Sequence, residues 1–527
     1  MAEQTVQRNL ISRVNVGDML TRTSWRSPAR LALVEKDRRL TYGEFNELVN
    51  RFANALLARG YARGDALGLA SANSIEFLVT YYACAKTGVV CVPVNLGWQA
   101  PEIGYVLGHS GARGVVAQTQ FLPLITAAAS GLPAASDVIA APGSAEAPAG
   151  TVLFADVCAA APDTEPEVYV ADRDPLSYLY TSGTTSTPKG VVSSHLAVYL
   201  ESLTAPVTLG IGADERCAVM MPLFHTAQLN GIASATIYMG GALYLLAGFD
   251  PSGLLGLIER ERITQIFGLP VMYRALLDNP ALSRHDLSSL RLALYAMAPM
   301  PDTDLRRAIE SFGCDFALGF GQTEMNPLTT VFLPEHQLSH PGSVGTAVPN
   351  VQVAIMGDDG TLLPPGGSGE IVYRGPHVME GYLRAEEATA EAFAGGWFHS
   401  GDVGHFDDDG LLWFEDRKKD VIKTGGENVA SLEVEKALYE AEPRIAEVVA
   451  VGLPHAQWAE AITAIVLPKP GSDLTERDVE DAARARLAGF KRPKRVVIVD
   501  DLPRTSTGKV QKNVLRETYR DLYQGEG

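Results

Sequence analysis

Cysteine is scarce. The chain of 527 residues has five, Cys84, Cys91, Cys158, Cys217 and Cys314, scattered and without a C-x-x-C spacing. That excludes a disulfide framework, and three of the five stand in apolar stretches, as reduced core thiols of a cytosolic protein do. Positive charge is also short: 44 Lys and Arg against 62 Asp and Glu leave a net charge of −18. Such a surface repels phosphate backbones and anionic lipid, so neither nucleic acid nor a membrane surface is an expected partner. No run approaches the roughly 18 apolar residues that cross a bilayer. The first twenty residues lack a basic start followed by an apolar block, so no secretory signal is expected. There is no internal repeat, no G-x-S-x-G nucleophile elbow and no Walker A loop.

The chain is 46% hydrophobic, enough for a large core, and its length calls for two or more domains. Residues 40–60 (LTYGEFNELVNRFANALLARG) have helical spacing, whereas ALGLASA and VVCVPVN read as short buried strands. This alternation predicts an α/β architecture. Residues 126–165, rich in Ala, Gly, Pro and Ser, read as surface loops with one or two short elements. Farther on, LRLALYAMAP reads as a strand, PDTDLRRAIESFG as a helix closed by Gly313, and CDFALGFG as the next strand. The charged cluster EDRKKD (415–420) marks a boundary. It divides a large α/β domain over residues 1–415 from a small α+β domain over 416–527.

The most informative stretch is YTSGTTSTPKG (180–190), with four Thr, two Ser, two Gly and one Lys in eleven residues. Small residues let the backbone approach phosphate oxygens, hydroxyls and amides donate hydrogen bonds, and Lys189 adds a positive charge. Strand-like sequence on both sides predicts a hairpin around this loop. His336 and His340 have metal-ligand spacing for a helix, but Pro334 and Pro341 bracket them and no third ligand is evident, so a surface loop is the better reading.

The loop resembles the phosphate-binding signature of the adenylate-forming superfamily, which includes acyl- and aryl-CoA synthetases, peptide-synthetase adenylation domains and beetle luciferases. The resemblance continues in order through FGQTE (320–324), WFHSGD (397–402), DRKKDVIKTGGENV (416–429) and PRTSTGKVQK (503–512). Weaker family segments are LTYGEF (40–45), GVVCVPVN (88–95) and GEIVYRGPHVMEGY (369–382). One such motif would be weak; five in order, spanning nearly the whole chain, are specific. The activity implied is activation of a carboxylic acid by ATP as an acyl-adenylate, with pyrophosphate release, then transfer of the acyl group to coenzyme A.

The resemblance also implies roles. Thr181, Ser182, Gly183, Thr184, Thr185 and Lys189 would hold the β- and γ-phosphates. Ala298, Pro299, Phe320, Gly321 and Gln322 would surround the nucleotide, with Phe320 stacked on adenine and Gly321 leaving it room. Thr323 would contact the α-phosphate and Glu324 would ligate Mg²⁺. Asp402 would accept hydrogen bonds from both ribose hydroxyls, with Arg417 assisting. Lys509 would bridge the substrate carboxylate and the α-phosphate, two anions that must meet in line. A mobile C-terminal domain would turn about a hinge at Lys419, presenting Lys509 for adenylation and Gly425, Gly426 and Glu427 to the thiol's pantetheine arm.

His225 in PLFHTAQLNG would border the acyl pocket, with Gln228, Asn230, Gly231 and Gly319 near it. Met297 in AMAPMP stands where the family usually has Gly, Ala or Ser, and would narrow or reshape the pocket wall. Ser186 replaces a usual glycine, Ser400 a usual threonine, and Asp416 a frequent glycine. None of these changes removes a charged catalytic group. The pocket segments have few charges, which favours an apolar or neutral acid. Loading of a carrier-protein phosphopantetheine arm is the alternative; a luciferase-like oxygenase and a degenerate binder are weaker ones. A cytoplasmic location is expected, and the resemblance is compatible with a homodimer.

Overall fold

The computed structural model describes residues 2–132, 137–181, 188–298, 300–504 and 510–524. Its contacts divide the chain into two compact units, one of residues Met1–Val353 with Tyr373–Phe398 and one of Ala354–Val372 with His399–Gly527.

Among the described residues the first unit holds two large sheets. The nine-stranded sheet has a parallel centre built from Leu31–Glu35, Arg216–Val219, Ala242–Leu245, Gln265–Gly268, Leu292–Ala296 and Asp315–Gly321, with antiparallel strands at both margins. The eight-stranded sheet is likewise parallel through Ala66–Ala70, Val90–Pro93, Ala112–Gln118 and Asp137–Ala141, and ends in an antiparallel hairpin on one side. Parallel strands need both faces covered, and the helix Ile75–Thr87 shows the consequence. All thirteen of its residues are buried, and it meets Ala66–Ala70 and Val90–Pro93 of one sheet and Leu31–Glu35 of the other. The Ser74 hydroxyl caps its first turn and Gly88, at φ 70°, ends it.

Local chemistry explains why the sequence signals hold. The helix Tyr42–Ala58 opens on a reciprocal capping box between Thr41 and Glu44 and buries Phe45, Val49, Phe52 and Leu56 on one face. Losing that cap would cost about 1 kcal/mol. The strand Leu292–Ala296, the helix Asp302–Phe312 and the strand Asp315–Gly321 follow as the spacing predicts, with Gly313 at φ 62° as the C-cap.

Residues 126–165 hold more structure than their composition predicts. Besides the end of the helix Leu122–Ala129 they contain the strands Asp137–Ala141 and Val152–Leu153 and the helix Phe154–Ala159. A buried ammonium anchors the far end: Lys86 Nζ donates to Asn46 Oδ1 and Asn50 Oδ1 at 2.7 Å each and to Glu165 at 2.6 Å. Tertiary partners distant in sequence, not local periodicity, order this region.

The second unit carries a sheet built on Gln352–Met356, Gly369–Arg374, Phe398–Phe406 and Leu412–Arg417. Its C-terminal part is a five-stranded sheet with the helices Ser431–Ala441 and Glu476–Arg486. The long pair Ile445–His455 and Ala459–Pro468 supplies the alternating buried residues of its core. The Cys84, Cys91, Cys158 and Cys217 thiols are buried and Cys314 is half-buried; all five are free.

Candidate active site

In the first unit, the strands Pro175–Thr181 and Lys189–Ser194 pair antiparallel and place Thr181 opposite Lys189. The hairpin expected around the phosphate loop is therefore present. Ser182, Gly183, Thr184, Thr185 and Ser186 lie outside the described residues, as do Pro299 and Lys509. Lys189 directs its ammonium over the ring of Tyr382, 4.9 Å from the centroid. The Tyr382 hydroxyl donates to Glu324 Oε1 at 2.9 Å. One aromatic side chain thus orients a cation through its face and a carboxylate through its edge. Burial first, then the Glu324 charge, pushes the phenol well above its ordinary range, so it stays a donor.

Glu324 sits in the short 3₁₀ turn Thr323–Met325 that follows the strand ending at Gly321. The chain folds back there: Gln322 N donates to Pro327 O at 3.0 Å and Met379 N to Glu324 O at 2.7 Å. A Cβ at Gly321 would collide with the Pro327 carbonyl oxygen. The glycine that the motif reserves for a nucleotide is required by the chain's own turn. Phe320 is half-buried and Gly319 fully buried in the same strand, and a Cβ at Gly319 would lie 3.2 Å from Leu328.

The PLFHTAQLNG segment forms a π-helix over Ala227–Ser234, a geometry that recurs at functional sites. His225, half-buried just before it, packs its ring 4.7 Å from that of Phe224, and burial pulls its pKa down to about 4. The imidazole is therefore neutral at physiological pH. Asn230 is committed to the fold, accepting from the Tyr81 hydroxyl at 2.9 Å and donating to Thr226 Oγ1 at 3.0 Å. Gly231 packs toward Pro327 and Glu201. Gln228 is fully buried, and both atoms of its amide lack a hydrogen-bond partner among the described residues. Met297 adopts φ 70° and is 65% exposed, and Ala298 beside it is exposed. A left-handed methionine costs about 1 kcal/mol. His336 ends a 3₁₀ turn and His340 lies in the loop after it, with no metal-binding cluster among the described residues.

In the second unit, Asp402 and Arg417 face each other across paired strands, with Arg417 Nε 2.9 Å from Asp402 Oδ1. Ser400 supplies a hydroxyl whose Oγ donates to Ile371 O and accepts from Asp402 N at 3.0 Å, on either side of Gly401, which has φ 71° within its strand. Asp416 accepts from the backbone amides of Arg417 and Ser431, a use no glycine could supply. Partial burial, then the neighbouring cations Arg417, Arg516 and Lys512, lower the Lys419 pKa. Gly425 and Gly426 have φ 62° and 88° and connect the strands Ile422–Thr424 and Glu427–Val429. Two positive φ angles in a two-residue hairpin loop are the type I′ pattern, and Gly425 also lies too close to Trp458 for a side chain.

Comparison with known proteins gives the family. The AMP-binding enzyme family matches residues 20–383, and the C-terminal domain of AMP-binding enzymes matches residues 433–509. The chain belongs to the AMP-binding enzymes. A feruloyl-CoA synthase of Amycolatopsis is 36% identical over 504 residues, covering 96% of this chain and 99% of that protein. The long-chain-fatty-acid–CoA ligase FadD13 of Mycobacterium tuberculosis is 34% identical over 507 residues, covering 96% and 98%. The crystal structure of ATP-bound MatB from Rhodopseudomonas palustris superposes with a TM-score of 0.88 at 32% identity, covering 97% and 100%. This AMP-binding enzyme is an ATP-dependent acid–CoA ligase that works through an acyl-adenylate. The sequence motifs assign no role to Tyr382, which contacts both Lys189 and Glu324. Its signal was the closing tyrosine of the weak segment GEIVYRGPHVMEGY, to which no role had been attached.

Proposed function

We propose that this AMP-binding enzyme activates a carboxylic acid with an apolar or neutral body, not a dicarboxylate or an amino acid, and passes it to coenzyme A. One observation carries the reading: next to a neutral His225, the fully buried Gln228 offers an uncharged amide with unspent hydrogen-bonding capacity. The FHTAQLNG stretch itself contains no Lys, Arg, Asp or Glu. A second carboxylate placed there would be desolvated without a countercharge, at a cost of several kcal/mol.

In this reading Thr181, Ser182, Gly183, Thr184, Thr185 and Lys189 hold the β- and γ-phosphates, Phe320 and its neighbours the base, and Asp402 with Arg417 the ribose. Lys509 bridges the reacting carboxylate and the α-phosphate. Glu324 would hold Mg²⁺. The donor set fits, because Mg²⁺ is commonly bound by one or two carboxylates plus substrate phosphates, and Tyr382 already orients this one. The ion would neutralise phosphate charge while Lys189 and Lys509 position the anions. The functional boundary falls at 416 with the hinge at Lys419, and the Gly425–Glu427 turn serves the thiol step. A cytoplasmic location fits the five free thiols, and sedimentation of the purified enzyme distinguishes a homodimer from a monomer.

Pyrophosphate release from ATP and Mg²⁺ across a panel of aromatic, aliphatic and dicarboxylic acids, with and without coenzyme A, tests the reading. A neutral-bodied acid should give release and an acyl-CoA product. Preference for a dicarboxylate would overturn the substrate class, and adenylate that never reaches coenzyme A would favour carrier-protein loading.

A further inference from the structure

Glu201 and His377 form a couple that none of the roles above uses. Glu201 lies in the helix His195–Leu209 and His377 in the segment after the strand Gly369–Arg374. Both side chains are 0% exposed, and Glu201 Oε2 is 3.4 Å from His377 Nδ1. The 3.4 Å approach falls short of a full hydrogen bond, neither ring nitrogen has another polar partner among the described residues, and the carboxyl is otherwise met only by the Leu328 backbone. Burial pushes the carboxyl well above its ordinary range and the imidazole down to about 4. Burial thus favours the uncharged form of each member of the pair. The groups facing it are the Leu328 backbone and Gly231, and no charged side chain contributes to either shift.

The surroundings of this couple are the supports of the site. A Cβ at Gly231 would stand 3.7 Å from Glu201 Oε1 and 3.3 Å from Pro327 Cδ. Asn326 Nδ2, two residues after Glu324, donates to His377 O at 2.8 Å. Two residues past His377, Met379 N holds the Glu324 carbonyl. Then Gly381 and Tyr382 pair with Val192 and Val191 on the strand that starts at Lys189. The segment 377–382 thus joins the Glu324 turn to the phosphate hairpin, and Glu201 is its contact with the helix behind.

We propose that Glu201 and His377 are positioning residues for binding the ATP polyphosphate: the carboxyl proton of Glu201, directed at the His377 ring, fixes segment 377–382, and through it Glu324, Tyr382 and Lys189. No proton leaves the pair. The inference rests on the assignment of Glu324 and Lys189 to the nucleotide. It adds that their placement is set by a buried pair in the core.

Calorimetric binding of Mg-ATP and of AMP by the full-length protein tests it without any carboxylic acid. AMP lacks the β- and γ-phosphates, so a merely structural defect lowers both affinities alike, whereas misplaced Glu324 and Lys189 act mainly on Mg-ATP. Glu201→Leu, similar in size and without a donor, should weaken Mg-ATP about tenfold and leave AMP within about twofold. Glu201→Gln, which keeps an uncharged donor, should restore Mg-ATP binding. If Glu201→Leu does not fold, His377→Phe gives the same split. Equal losses for both nucleotides, no loss for either, or failure of Glu201→Gln to rescue would each overturn the proposal. Glu324→Gln run in parallel separates the two ideas. If it leaves Mg-ATP affinity unchanged, the nucleotide assignment is wrong. If it weakens Mg-ATP while Glu201→Leu does not, only the positioning role is wrong.

Discussion

Replacing Asp402 by asparagine tests the ribose assignment most directly. The Asp402 side chain is 4% exposed and its charge is met by Arg417, whose own side chain is 38% exposed. Asparagine preserves shape but converts one acceptor oxygen into a donor, so one of two charge-assisted hydrogen bonds to the ribose diol is lost. Such a bond contributes about 1.5–3 kcal/mol. At 1.4 kcal/mol per decade, ATP affinity should fall about 30-fold. Arg417 keeps much of its hydration, so stability should change by only about 1 kcal/mol. Calorimetry with ATP and with 2′,3′-dideoxy-ATP separates specific from general effects. The native enzyme should bind the dideoxy compound far more weakly than ATP, and Asp402→Asn should lose most of that discrimination. An asparagine variant that binds ATP within threefold of native, or still prefers ATP to the same degree, would refute the assignment.

Three further outcomes are expected. Tyr382→Phe removes the hydroxyl that donates to Glu324 but keeps the ring beneath Lys189, so Mg-ATP affinity should fall by about 1 kcal/mol, roughly fivefold; AMP affinity should hold, as a nucleotide titration will show. Lys509→Ala should slow pyrophosphate release about 10²–10³-fold while acyl-CoA still forms from supplied acyl-adenylate, read by separate assays of the two half-reactions. Acid should destabilise the fold between pH 6.5 and 4. The buried rings of His195 and His377 and the half-buried ring of His225 have pKa values of about 3, 4 and 4 in the folded chain, against an ordinary 6.5. In that window the unfolded chain binds more protons, so stability falls with pH by up to about 1.4 kcal/mol per unit per histidine. Urea titrations of His195→Gln should show a slope shallower by about one such share, and parallel slopes would contradict the assignment.

What the sequence disclosed follows physical range. The helix Tyr42–Ala58 and the hairpin around the phosphate loop rest on caps, periodicity and strand patterning that lie within about ten residues, and both appear where expected. Residues 126–165 have weak local signals. Their order comes from sheet neighbours 23 positions away and from Lys86, 79 positions from Glu165, partners that local composition does not announce. The candidate site divides in the same way. Asp402 and Arg417 are named by motif and meet in space. By contrast, Tyr382 acts on Lys189 and Glu324, 193 and 58 positions away, and no local pattern announces such a contact. Gly321 and Gly231 show a third limit: a motif says that a residue must be small, and only the fold says against what.

The role of Tyr382 also explains how opposite charges can be kept ready for a ligand. A direct ion pair between Lys189 and Glu324 would satisfy each with the other, and a polyphosphate with its cation would have to break that pair before binding. With the phenol between them, the ammonium rests on the ring face and the carboxylate takes the hydroxyl proton. Both contacts are weaker than a desolvated ion pair, so each charge is oriented without being neutralised. The positioning role proposed for Glu201 and His377 extends the same logic one layer inward, since a buried pair can hold the segment bearing Tyr382 without adding a field that would compete for the phosphates. Placing a lysine at 382 should therefore be far more damaging than phenylalanine: it would pair with Glu324 and repel Lys189, removing one charge and misdirecting the other.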